Sequence, residues 1–319
     1  EIAGRSGADA VKFQTFSADK LTRKGAEKAE YQKKTTSDGD QHAMLAKLEM
    51  PHKLHHALVR RCAELGIEFM STGFDEEAVD FLVSVGIRRI KVPSGEITNL
   101  PFLAHMASKN LPMIVSTGMA DITEVKTAVA TIKQERDRLN LHEPLEQMVT
   151  ILHCTSNYPT PPNEVNLRAM LSIAQETGMP VGYSDHTLGI AISSAAVAMG
   201  ATVIEKHFTL DKSLPGPDHM ASLEPDELGA LVRSIRDIEA ARGDGIKAPT
   251  ASELPVRALI RRSVTTMRDV PAGATISAAD IALLRPGNGI APADMLAVVG
   301  RVAGRDLIAG ETLQWTDLA

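Results

Sequence analysis

Two short segments carry most of the chemistry this sequence could perform. Ser184-Asp185-His186-Thr187 closes one apolar run, and Glu205-Lys206-His207-Phe208 closes the next. If both runs are strands joined by the amphipathic stretch between them, they form one βαβ unit, and His186 and His207 stand side by side. Neutral imidazoles are common ligands of divalent transition metals. Two of them leave coordination positions open to substrate oxygens. The alternative is a pair of hydrogen-bonded rim histidines with no metal. Glu205 shares a face with His207, because side chains two apart on a strand point the same way. A glutamate in an apolar strand is either paired or functional, and both readings are open.

Lysines supply the opposite charge. Lys12 and Gln14 lie two apart in Val11-Lys12-Phe13-Gln14-Thr15, and Lys91 begins Lys91-Val92-Pro93-Ser94-Gly95-Glu96. Two lysines directed into one pocket fit an anionic ligand, or they pair with Glu96 and Glu205. Thr72, Ser94, Ser116, Thr117, Asn157 and Ser184 add small polar groups at strand ends. Such groups can hold a phosphate by many modest hydrogen bonds, and they also serve as turn and cap residues. No Walker or Gly-x-Gly-x-x-Gly pattern occurs, so nucleotide binding is not indicated. His52, His55 and His56 read as a solvated helix face. Cys154 follows His153, and strand neighbours point to opposite faces, which argues against a Cys/His nucleophile pair.

The elements that must position these residues alternate from residue 8 to about 242. Strands are expected at 10–13, 69–72, 88–92, 113–116, 149–153, 181–184 and 203–206. Helices are expected at 76–85, 100–109, 123–138, 190–199 and 225–241, from apolar residues three or four apart. Repeated βα units imply a parallel sheet. The polar residues gather at strand ends, where a (β/α)₈ barrel has its active site. Seven strands are found where a barrel has eight, so the first strand is expected to be missing from this chain. A doubly wound open sheet is the structural alternative. Residues 1–245 are expected to form the barrel and 246–258 a linker marked by Pro249 and Pro255. Residues 259–319, rich in glycine and short β-like runs, read as a small second domain.

Composition excludes several classes. The net charge is −6 without a basic cluster, and aromatic residues are 3 %, which argues against nucleic-acid binding. No apolar run reaches the ~20 residues of a membrane span. Cys62 and Cys154 match no metal or redox spacing, which reads as a reducing, cytoplasmic setting.

The ordered motifs resemble the sialic acid synthase family. The matching segments are Gly7-Ala8-Asp9-Ala10-Val11-Lys12-Phe13-Gln14-Thr15, Lys91-Val92-Pro93-Ser94-Gly95-Glu96, Ser116-Thr117-Gly118-Met119 and His153-Cys154-Thr155-Ser156-Asn157-Tyr158-Pro159-Thr160-Pro161. Ser184-Asp185-His186-Thr187, Glu205-Lys206-His207-Phe208-Thr209, Pro215-Gly216-Pro217-Asp218-His219 and Arg285-Pro286-Gly287-Asn288-Gly289 complete the set. The resemblance implies a TIM barrel followed by an antifreeze-like (SAF) domain. It implies condensation of phosphoenolpyruvate with an N-acetylated hexosamine, first of all N-acetylmannosamine, to give N-acetylneuraminate and phosphate. It assigns His186 and His207 to Mn²⁺ or Mg²⁺. Lys12, Lys91, Thr72, Ser94, Ser116, Asn157 and Ser184 would hold phosphoenolpyruvate, while Gln14, Glu96, Tyr158 and Asp218 would contact the open-chain sugar. Glu205, with Lys91 and Lys12, would stand beside the reacting groups. It further implies a domain-swapped homodimer in which Arg285 reaches the partner's site.

The family's first strand carries Ala-Glu-Ile-Gly-x-Asn-His-x-Gly, with a glutamate near the metal, and nothing in this sequence matches it. Alternatives are a legionaminic or pseudaminic acid synthase with a diacetamido-hexose acceptor, or a catalytically silent sugar-binding relative. An enzyme with a sugar-phosphate acceptor would call for an extra basic cluster, which the sequence lacks.

Overall fold

The computed structural model describes residues 1–36 and 39–319. They divide into two compact units, Glu1–Gly243 and Asp244–Ala319.

The first unit is a seven-stranded parallel sheet in sequence order: β1 (Ala10–Thr15), β2 (Glu68–Gly73), β3 (Ile90–Val92), β4 (Met113–Ser116), β5 (Val149–Cys154), β6 (Val181–Asp185) and β7 (Ile204–Lys206). β1 and β7 are its edges, yet Lys12 on β1 and Glu205 on β7 approach to 3.8 Å. In a flat sheet, six spacings of about 4.8 Å would hold these strands about 29 Å apart. The sheet therefore curls into a barrel-like wall, which rules out the doubly wound alternative. At the seam, helix Ile2–Arg5 packs against helix Pro225–Ala241, and Arg236 donates to Asp9 at 2.7 Å. A parallel bridge from Phe208 to Leu223 extends the wall beyond β7.

The sequence explains most boundaries. Glu224 and Glu227 form a capping box around Pro225, in the first helical turn, so the last helix starts where the pattern places it. Gly86 (φ +87°) and Gly200 (φ +108°) end helices with left-handed backbone before the next strand. Beyond the expected helices, His52–Leu65 and Ala169–Thr177 are the long ones that complete the alternation.

Within the sheet, side chains form layers. Ala10, Met70, Ile114, Leu152 and Val203 form one apolar cluster. Two residues further along their strands come Lys12, Thr72, Ser116, Cys154 and Glu205. The period of two thus sets an apolar plug under a polar floor, as barrel interiors do. Gly182 completes the plug. A Cβ there would lie 2.4 Å from the Val203 carbonyl and 2.6 Å from Leu152, so no larger residue fits.

The second unit has one antiparallel pair, β8 (Ser263–Thr266) with β9 (Ile281–Leu284). Bridges Thr265–Thr312, Val270–Leu307, Thr275–Val302 and Ala303–Leu318 add short contacts. Val264, Ile276, Leu307 and Leu313 centre its own core. The stretch read as linker is not wholly irregular, because its second half enters helix Glu253–Ile260.

Candidate active site

The polar floor is built around one carboxylate. Glu205 lies 3.8 Å from both the Lys12 and the Lys91 amines, and accepts a 2.8 Å hydrogen bond from Ser184. Lys91 is 3 % exposed and donates to the Ser116 hydroxyl at 2.7 Å and the Val92 carbonyl at 2.9 Å. Thr72, also buried, pairs in register with Lys91. Burial pushes the Lys91 ammonium down, against the pull of Glu205. For Glu205, burial alone would raise the carboxyl. Lys12, Lys91 and the Ser184 bond outweigh it and hold the group at about 2, so it is ionised at neutral pH.

Beside this floor, Ser94 accepts the Gly118 N–H at 2.9 Å and lies 3.1 Å from the Cys154 sulfur. A Cβ at Gly118 would come 2.4 Å from Ser156 Oγ and 2.8 Å from Ser94 Oγ, so only glycine lets these groups converge.

The two histidines rise above Ser184 and Glu205. His186 is buried, and its Nδ1–H donates to the Thr155 carbonyl at 2.7 Å. That tautomer leaves Nε2 with its lone pair available. The His186 and His207 rings are 5.4 Å apart, and the Tyr158 ring lies 4.1 Å from His186. Burial lowers both imidazoles. His207, with Lys12 and His186 adding repulsion, sits at about 3 and is neutral at physiological pH. Neutral imidazole nitrogens, with the His186 tautomer fixed by its carbonyl partner, suit a divalent cation. Among the described residues no cluster of three or more His, Cys, Asp or Glu side chains forms.

Other expected residues are distributed unevenly. Burial pushes the Asp218 carboxyl up while Lys12 opposes it, which puts Asp218 within reach of the lysine's field. Gln14 is exposed at the end of β1. Glu96 accepts from Asn99 at 2.8 Å in its own turn rather than pairing with a lysine. Asn157 is exposed, its amide 3.4 Å from Glu164. Thr117 is turned to the Leu152 carbonyl. Arg285 is exposed just after β9 in the second unit.

One decoy proves different. His55 is fully buried, not solvated. Thr15 Oγ1 lies 2.7 Å from its Nε2 and 2.7 Å from Ser71 Oγ, so a chain of hydroxyls joins β1 and β2 to the helix. Sequence reasoning also passed over the buried ion pair of Asp185 with Lys206 at 3.0 Å. Its signal was present, namely two charges at successive strand ends with the opposite parity to the inward residues.

With this geometry in view, the comparisons with known proteins converge. Residues 1–247 match the NeuB family and residues 261–319 the SAF domain. The chain belongs to the NeuB family, and it is a phosphoenolpyruvate-dependent, carbon–carbon bond-forming transferase of the sialic acid synthase type. Among characterised relatives, it is similar to the N,N'-diacetyllegionaminic acid synthase of Legionella pneumophila, 55 % identical over 98 % of this chain and 87 % of that protein. The synthase of the same name from Campylobacter jejuni is 45 % identical over 98 % of this chain and 92 % of its own length. Among solved structures, the N-acetylneuraminic acid synthetase of Leptospira borgpetersenii aligns with a TM-score of 0.69 at 32 % identity, covering 80 % of this chain and 81 % of that one.

Proposed function

We propose that this synthase joins phosphoenolpyruvate to a diacetamido-hexose, giving a legionaminic-type nine-carbon acid and phosphate. The observation that carries this is the identity to two N,N'-diacetyllegionaminic acid synthases along almost the whole chain. A diacetyl product bears two acetamido groups and phosphoenolpyruvate brings none, so the acceptor must bring both. N-acetylmannosamine, the first acceptor expected from the sequence, has only one and becomes the second reading.

The residues support the chemistry as follows. Lys12 and Lys91 offset the carboxylate and phosphate of phosphoenolpyruvate. Thr72, Ser94, Ser116 and Ser184 supply short hydrogen bonds around it. The alkene carbon attacks the open sugar's aldehyde carbon, forming the new C–C bond while the carbonyl π pair moves to oxygen, which takes up a proton from water to become a hydroxyl. Ionised Glu205 faces the positive charge that develops at the former enol carbon and is placed to accept a proton from the water adding there. The tetrahedral centre then loses phosphate. His186 and His207 would hold a divalent metal, Mn²⁺ or Mg²⁺, which when bound supplies Lewis-acid polarisation. Tyr158 and Asp218 flank the sugar's side of the pocket. The proposal extends to a cytoplasmic, swapped homodimer in which Arg285 serves the partner's pocket. Among the described residues no helix is long and apolar enough to cross a membrane.

The test is phosphate release from phosphoenolpyruvate by the full-length protein with Mn²⁺, with either acceptor or neither. Release that needs metal and is fastest with the diacetamido-hexose is expected. Faster release with N-acetylmannosamine would reverse the acceptor assignment, and none with either would leave a silent sugar-binding relative. Arg285→Ala is expected to raise the KM of the sugar more than that of phosphoenolpyruvate; equal effects would remove it from the sugar's pocket.

A further inference from the structure

The buried pair of Asp185 and Lys206 does not face the pocket, and the reaction makes no direct use of it. Ser184–Glu205 and Asp185–Lys206 are successive rungs of the β6–β7 ladder. Successive residues of a strand point to opposite faces. The first rung points inward and closes with the Ser184–Glu205 hydrogen bond. The second points outward, where Ser193 on helix Ala191–Ala198 donates to Asp185 at 2.6 Å. Side-chain exposure is 2 % for Lys206 and 0 % for Asp185.

This outward pair grips both backbone groups of Thr187, the residue directly after His186. Asp185 accepts the Thr187 N–H at 2.8 Å, and the Lys206 amine donates to the Thr187 carbonyl. In the same peptide group as the Thr187 N–H, the His186 carbonyl accepts the Thr160 N–H at 2.9 Å, and the His186 ring is held by the Thr155 carbonyl. Buried ion pairs are poor stabilisers, since desolvation offsets their attraction. Their better-attested use is to fix register. Here register matters greatly, because a slip of one residue on β7 would turn Glu205 and His207 outward and bring Lys206 into the pocket.

We infer that Asp185 and Lys206 are positioning residues for the His186–His207 pair, setting its geometry from behind the sheet. The inference rests on the reading of those histidines as metal ligands. It is tested by titrating metal-free protein with Mn²⁺ and following the free-ion electron paramagnetic resonance signal. The double variant Asp185→Asn with Lys206→Met removes both charges and keeps an acceptor for the Thr187 N–H. Its Mn²⁺ affinity is expected to fall about 10- to 100-fold, as for other supports of metal ligands. The melting temperature of its metal-free form should stay near wild type. A folded double variant with wild-type affinity overturns the positioning role. Wild-type protein that binds no Mn²⁺ instead overturns the metal reading, and this inference with it. Should the double variant not fold, Ser193→Ala, which removes one bond to Asp185, takes its place. Its expected loss is about fivefold, the scale of one hydrogen bond, and unchanged affinity would overturn the inference.

Discussion

The two units use their buried charges differently. The parallel unit takes ionisable groups inside: Lys91, His186, Asp185 and the Lys206 side chain are all buried near one end of the sheet. The C-terminal unit buries two carboxylates, Asp280 and Asp317, beside its apolar core and uses them to tie turns. Asp280 accepts the Ser277 N–H and hydroxyl, both at 2.7 Å, and pairs with Arg268. Asp317 accepts the Gln314 N–H and pairs with Arg305. Both arginines reach solvent, with side chains 66 % and 48 % exposed. Charge in the first unit works against stability and equips a pocket; charge in the second holds the chain's own bends.

The strongest challenge to this contrast is Lys91→Met. Turnover should fall about 10²- to 10³-fold, the usual loss when a preorganised donor is removed. The melting temperature should hold or rise, because a buried ammonium disfavoured by its surroundings is gone. Retained turnover with a lower melting temperature would mean the lysine is structural. In the other unit, Leu313→Ala should cost about 2–5 kcal/mol by opening a cavity. Hydrogen exchange should quicken across residues 263–319 and stay unchanged in β4 and β5. Equal quickening in both would show a shared core.

A smaller effect is expected at His55. Replacing it with Leu removes its bonds to the Thr15 hydroxyl and the Pro51 carbonyl and should cost about 1–3 kcal/mol, whereas His56→Ala on the exposed side should stay within about 0.5 kcal/mol. Similar costs would deny the buried network its role. The mildest test sharpens the contrast through pH. Bonds from Ser277 and then Arg268 hold Asp280 at about 2, below its ordinary 3.8. A depressed carboxyl contributes stability above its unfolded pKa and loses it as pH falls through the folded one. The second unit should therefore soften between about pH 4 and pH 2, and Asp280→Asn should flatten that slope. A variant with the wild-type slope would clear Asp280 of the effect.

Much of the fold was legible because local signals agreed. β4 falls at Met113–Ser116 as read, since its apolar run ends in a polar residue and a glycine turn. Helix Pro225–Ala241 was legible from apolar residues three or four apart, and its capping box and proline agree with that start. The inward cluster was legible through strand parity, which puts Lys12, Glu205 and His207 on one face. What escaped depended on tertiary partners. His55 sits in a polar stretch, and only the Thr15 hydroxyl arriving from β1 gives it a reason to be buried. Glu96 and Asn157 bond local partners, Asn99 and Glu164, which the sequence pattern does not announce. The Asp185–Lys206 pair was hidden because inward residues drew the attention that the outward parity equally merited. The curl of the sheet was legible from the polar residues gathered at its strand ends, and the 3.8 Å meeting of its two edges bears it out.

That meeting of two lysines around one carboxylate also governs how fast a substrate arrives. The chain as a whole is acidic, with a net charge of −6, so an approaching anion is first repelled. The lysines act only at close range, inside walls that mobile ions do not fill. At physiological ionic strength the Debye length is about 8 Å, so salt erases the outer repulsion and spares most of the inner attraction. Capture of phosphoenolpyruvate should then quicken as salt rises from very low levels, the reverse of an enzyme that steers its substrate from afar.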